Sequence, residues 1–110
     1  MNKLDAQTQE KIKELQGYEQ NIHNLLMQKQ AFQMELSETE NAISEISAAK
    51  DVIYKLIGNI MIRSDKKKLE EELKKKKELI SLRIKSIESQ HTSIENQLES
   101  LKKEVLKKIK

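Results

Sequence analysis

The sequence predicts a mainly α protein: an antiparallel coiled-coil helical hairpin with one β-hairpin at the turn. Three observations carry this. Lys, Glu, Leu, Ile, Gln and Ser dominate, 35% of residues are charged and only 3% are aromatic, a mix typical of long helices rather than of a compact core with large rings. Proline is absent and glycine occurs twice, at Gly17 and Gly58, so the chain has few places to turn. Apolar residues recur in heptads on both sides of a short β-branched stretch, IYKLIGNIMIRSD, at residues 53–65.

Residues 1–50 hold the first heptad. One seam position reads Met1, Thr8, Leu15, Ile22, Lys29, Leu36, Ile43, Lys50, and the other Leu4, Lys11, Tyr18, Leu25, Phe32, Thr39, Ile46. This alternating three-four spacing predicts a helix that buries one stripe against a partner. Ile12 and Leu26 widen the stripe. Gly17 interrupts it, either as a neutral drift or as a local soft point, since glycine lowers helix propensity.

Residues 51–64 read as a β-hairpin. Val52-Ile53-Tyr54-Lys55-Leu56-Ile57 and Ile60-Met61-Ile62-Arg63 are rich in strand formers. Gly58-Asn59 supplies two residues that tolerate positive φ. A two-residue turn opposes Ile57 to Ile60, Leu56 to Met61 and Lys55 to Ile62. Val52, Tyr54, Leu56 and Met61 then share one face, and Ile53, Ile57, Ile60 and Ile62 the other. A lone hairpin is marginal in water and its edges are sticky. One that is apolar on both faces calls for partners, and pooling hairpins from several copies into a β-barrel removes the edges. The hairpin is therefore the expected oligomer joint.

Residues 65–110 hold the second heptad, with Leu73, Ile80, Ile87, Ile94 and Leu101 on one seam position and Ile84, His91, Leu98 and Val105 on the other. Leu69, Leu79, Leu82, Leu106 and Ile109 lie beside it. Ser64 and Asp65 are candidate caps for this helix. Glu70/Lys74, Glu71/Lys75 and Glu72/Lys76 are spaced for i,i+4 pairs. Folding at Gly58-Asn59 makes the whole chain one domain, with both termini at one tip. The halves differ in charge: five lysines against eight carboxylates in residues 1–50, and sixteen lysines and arginines against ten carboxylates in 51–110. Opposite signs suit an antiparallel pair, with an effect that salt screens.

Nothing in the sequence resembles a catalytic constellation, a phosphate-binding loop or a metal-ligand set, so no enzyme activity, cofactor or metal is expected. His91 reads as a polar seam residue that sets register. The lysine runs at 66–68 and 74–77 interleave with Glu70, Glu71, Glu72 and Glu78 and have no aromatic neighbours, which favours a solvated face over nucleic-acid binding. With no cysteine, no apolar run near 20 residues and no apolar signal segment, a cytoplasmic protein without a membrane partner is expected. Thr8 and Lys11 break the first seam near the tip. That end is expected to fray and expose apolar side chains, which either marks an interaction site or is fraying without a purpose.

The pattern resembles the β-type prefoldin family, archaeal members above all. Val52-Ile53-Tyr54-Lys55, Gly58-Asn59-Ile60-Met61-Ile62-Arg63 and Leu69-Glu70-Glu71-Glu72-Leu73-Lys74 carry the resemblance, which continues through Leu82-Arg83-Ile84-Lys85-Ser86-Ile87-Glu88-Ser89-Gln90. It implies a hexamer of two α-type and four β-type subunits on a double β-barrel base. It also implies an ATP-independent holdase that captures non-native polypeptides at coiled-coil tips and passes them to a group II chaperonin. Met1, Leu4, Leu101, Val105, Leu106 and Ile109 are the expected client contacts. Val52, Ile53, Tyr54, Leu56, Ile57, Gly58, Ile60, Met61 and Ile62 are the expected assembly residues, toward an α-type subunit and copies of the chain. The alternative is a coiled-coil adaptor or spacer that binds one folded partner.

Overall fold

A computed structural model describes residues 5–50 and 52–109, the last by its backbone alone. Helix α1 spans Ala6–Ala48, strands β1 and β2 span Ile53–Ile57 and Ile60–Ser64, and helix α2 spans Lys66–Ile109. The chain forms two compact units. One joins the residues up to Gln30 to those from Lys85 onward, and the other is Ala31–Ile84.

In the first unit α1 and α2 run antiparallel, with Lys11 Nζ 3.1 Å from Glu104 Oε2 and Lys29 Nζ 4.0 Å from Glu88 Oε1. Leu25, Ile87, Leu101, Val105 and Thr8 are buried between them. Leu15, Tyr18, Ile22, His91, Ile94 and Leu98 complete the seam as half-buried residues. His91 Nδ1 lies 3.4 Å from Glu95 Oε1, one turn along the same helix. Among the described residues no cluster of three metal-ligating side chains forms.

The second unit repeats the arrangement. Ile80, Ile84 and Thr39 are buried, with Leu36, Ile43, Ile46, Leu69 and Leu73 half-buried around them. Thr39 is tolerated in the seam because its hydroxyl donates to the Glu35 carbonyl, 2.8 Å away on its own helix, leaving its methyl to pack. Arg83 lies over the Phe32 ring, 5.7 Å from the centroid, a distance at which a cation and a π face attract. Glu72 and Lys76, spaced to pair with each other, turn instead to Lys55 (3.4 Å) and Glu35 (3.5 Å). Leu26, Leu79, Leu82 and Leu106, which flank the heptads in sequence, are exposed.

Both helix starts are capped by aspartate. The Asp5 carboxylate accepts from the Thr8 amide at 2.7 Å, and the Asp65 carboxylate from the Lys67 amide at 3.1 Å. Ser64 is not the cap, since its hydroxyl points back to the Ile62 carbonyl. Helix α1 has no basic residue in its last turn. Lys66 supplies the charge from α2: its ammonium donates to the carbonyls of Ala49 (2.8 Å) and Ser47 (3.3 Å). A lysine that sits badly at the start of its own helix is thus used at the carbonyl end of the other, where a cation is favoured.

Gly17 lies in α1 with open space where a Cβ would go. Gly17→Ala is expected to raise stability by about 0.5–1 kcal/mol, read as a higher midpoint in thermal unfolding. An unchanged or lower midpoint would show that Gly17 serves some purpose besides drift.

Candidate assembly and client-contact sites

The hairpin is antiparallel, with Ile57 opposite Ile60, Leu56 opposite Met61, Lys55 opposite Ile62, Tyr54 opposite Arg63 and Ile53 opposite Ser64. The two-residue turn is of the kind that needs glycine first. Gly58 has φ +59°, and no other described residue has positive φ, Asn59 included. This is the signature of a type II′ turn. Gly58→Ala is expected to destabilise the hairpin by about 1 kcal/mol, because a Cβ is strained at that φ. Amide hydrogen exchange in β1 and β2 would report it, and Asn59→Ala should change exchange little.

Opposed residues share a face. Val52, Tyr54, Leu56 and Met61 form one, joined by Arg63, and Ile53, Ile57, Ile60 and Ile62 form the other, joined by Lys55. Apart from half-buried Ile53, all eight apolar residues are exposed, Leu56 and Met61 to 68%. The sheet has two strands only, so each strand has one unpaired edge. Lys55 reaches Glu72 on α2, and Lys66 grips the end of α1. The first ties the hairpin to α2 and the second ties α2 to the end of α1, and the hairpin's apolar surface stays exposed.

At the terminal end of the helix pair the candidate contact residues separate. Met1 and Leu4 lie outside the described residues, as does the side chain of Ile109. Leu101 and Val105 turn inward and are buried, whereas Leu106 is exposed. The expected breaks in the seam do not open it. Thr8 is 2% exposed, and Lys11 reaches out of the seam to Glu104. The amide of buried Thr8 is satisfied by Asp5. Hydrogen bonds from Thr8, its side chain first and then its amide, hold the Asp5 carboxyl below its ordinary pKa against desolvation, and attraction to Lys108 and Lys11 adds to the lowering. A depressed folded-state value means the cap stabilises the fold above the ordinary carboxylate range and is lost as pH falls through that lower value. The Asp-x-x-Thr spacing at residues 5–8 was the sequence signal for this cap. Lys66 had no such signal, because its acceptors lie on another element.

A family profile described as "Prefoldin subunit" matches residues 9–110. The chain belongs to the prefoldin subunit family. Among curated relatives, the prefoldin subunit beta of Thermococcus onnurineus is 34% identical over 107 residues, covering 96% of this chain and 92% of its own. That of Saccharolobus islandicus is 32% identical over 105 residues, covering 94% and 83%. The crystal structure of the prefoldin beta subunit from Thermococcus strain KS-1 aligns with a TM-score of 0.86 at 30% identity, over 96% of this chain and 94% of that one. The prefoldin family is a co-chaperone family rather than one of enzymes, and its similarity to this chain is to β-type members. No described helix is long and apolar enough to cross a membrane.

Proposed function

We propose that the chain is the β-type subunit of a prefoldin-like hexamer, built with an α-type subunit and further copies of itself, that acts in the cytoplasm as an ATP-independent holdase. Residues 51–64 are its assembly segment, and 1–50 and 65–110 are the two arms of one domain. The observation that carries the reading is the hairpin: two apolar faces exposed to water and two unpaired edges, on a chain whose β-type relatives are themselves named as subunits. Pooling such hairpins in a barrel buries the faces and removes the edges.

Clients are non-native polypeptides, held by apolar side chains at the terminal ends of the helices and passed to a group II chaperonin. No single contact has to be strong, because several ends binding one unfolded chain raise avidity through effective concentration. Exposed Leu106 supplies one such contact at rest. Leu101 and Val105 supply theirs when the helix pair opens.

The test combines mass and activity. Co-assembled with an archaeal α-type prefoldin subunit, the chain should give a hexamer mass and suppress aggregation of a chemically denatured model protein without nucleotide. Deleting residues 1–5 and 104–110 should abolish suppression and leave the mass per hexamer lower only by the deleted residues. Full suppression by the truncated assembly would remove the tip from the mechanism. The closed seam at Leu101 and Val105 favours a second reading, a spacer that binds one folded partner. That reading predicts a specific complex and no effect on aggregating proteins.

A further inference from the structure

We propose that Asp5, Thr8 and the Lys11–Glu104 ion pair form a latch whose release exposes the inner face of α2 at Leu101 and Val105. As a control on client contact the latch rests on the holdase reading above, but as a structural device it does not.

The antiparallel register fixes what Thr8 covers. Lys11 meets Glu104 at 3.1 Å, and Asp5 lies within electrostatic reach of Lys108. Thr8, between Asp5 and Lys11 in sequence, therefore faces the turn of α2 between Glu104 and Lys108, where Val105 points inward. Leu101 lies one turn further in. A threonine in that place is an unusual plug. It brings little apolar area, so burial alone holds it weakly. Asp5 fixes the turn that carries it by accepting the Thr8 amide at 2.7 Å. The ion pair adds little, being partly exposed.

At this end a polar seam residue, set in place by the capped first turn of α1, thus lies over the apolar residues of α2, and one side chain can release it. Elsewhere the seam is closed by Leu25, Ile80, Ile84 and Ile87, which need no such support.

The test uses the full chain, which has no native cysteine. Val105→Cys places a thiol under the latch, and its reaction rate with a soluble thiol reagent reports opening. Loss of the aspartate cap in Asp5→Ala should raise that rate about fivefold, whereas Asp5→Asn, which still caps, should leave it near the parent rate. Far-ultraviolet circular dichroism checks that each variant keeps its helices. In the second arm, Lys11→Cys and Glu104→Cys are bridged by a bis-maleimide to hold the pair shut. The bridged assembly should lose suppression of aggregation, and Asp5→Ala should gain it. An unchanged labelling rate in Asp5→Ala overturns the latch, as does full suppression by the bridged assembly. If labelling rises fivefold and no form suppresses aggregation, the latch stands and the holdase reading fails.

Discussion

Replacing Ile57 and Ile60 together by lysine is expected to reduce the assembly to single chains while leaving the helices intact. The two residues oppose each other beside the turn, on the hairpin face that also carries Ile53 and Ile62. Both are exposed in the single chain, so the change removes little that the chain needs for its own fold. Two lysines directly across a ladder repel each other, at a cost of a few tenths of a kcal/mol to about 1 kcal/mol. The cost in a pooled sheet is far larger. Each isoleucine buried there contributes about 1.5–3 kcal/mol, and each lysine replacing it carries a charge into apolar surroundings at several kcal/mol more. In the proposed hexamer each β-type copy adds the same loss. Native mass measurement of the chain with an α-type subunit reads the outcome directly, with circular dichroism as the check on helix content. Met34→Lys, an exposed change on α1, is the matched control and should leave the mass of the assembly unaltered. An undiminished complex in the double variant would mean that assembly uses another surface.

That expectation draws on features the sequence already displayed, and the reason is geometric. A strand alternates faces and a two-residue turn fixes pairing, so the register from Ile53 to Ser64 follows from the place of Gly58 alone. The heptads were equally legible. Positions such as Leu25, Ile80, Ile84, Ile87 and Leu101 recur at seam spacing, and these are the residues the structure buries. Contacts that cross between elements were not legible. Glu72 and Lys76 have the spacing of a helical pair, yet each finds its partner elsewhere, because a side chain from a facing element competes with a neighbour one turn away. Lys66 sits at the wrong end of its own helix dipole, and its acceptors, the carbonyls of Ser47 and Ala49, lie beyond any spacing within α2. Thr8 interrupts the heptad in sequence yet is buried in the seam. A polar residue in a seam opens it only if its turn is not held in place, and the Asp5 carboxylate holds this one by accepting the Thr8 amide.

The second large effect separates true seam residues from those beside it. Ile80→Ala should destabilise the chain by about 2–4 kcal/mol, and Leu82→Ala by less than about 0.5 kcal/mol, although both remove an aliphatic side chain two positions apart on one helix. Ile80 is 4% exposed and Leu82 59% exposed. The first deletion leaves a cavity between α1 and α2, which a coiled coil with a seam only one side chain deep has few neighbours to fill. The second removes atoms already in water and, by improving helix propensity slightly, offsets part of what it loses. Thermal unfolding should show a drop of roughly 10 °C for Ile80→Ala and almost none for Leu82→Ala. If the two variants instead fell together, Leu82 would be buried in the assembled protein, and the flank of α2 that carries Leu79 and Leu82 would be a contact surface. Repeating the pair of measurements on the single-chain Ile57→Lys, Ile60→Lys protein then decides the matter. A cost for Leu82→Ala that vanishes with the assembly belongs to an interface, and one that persists belongs to the fold.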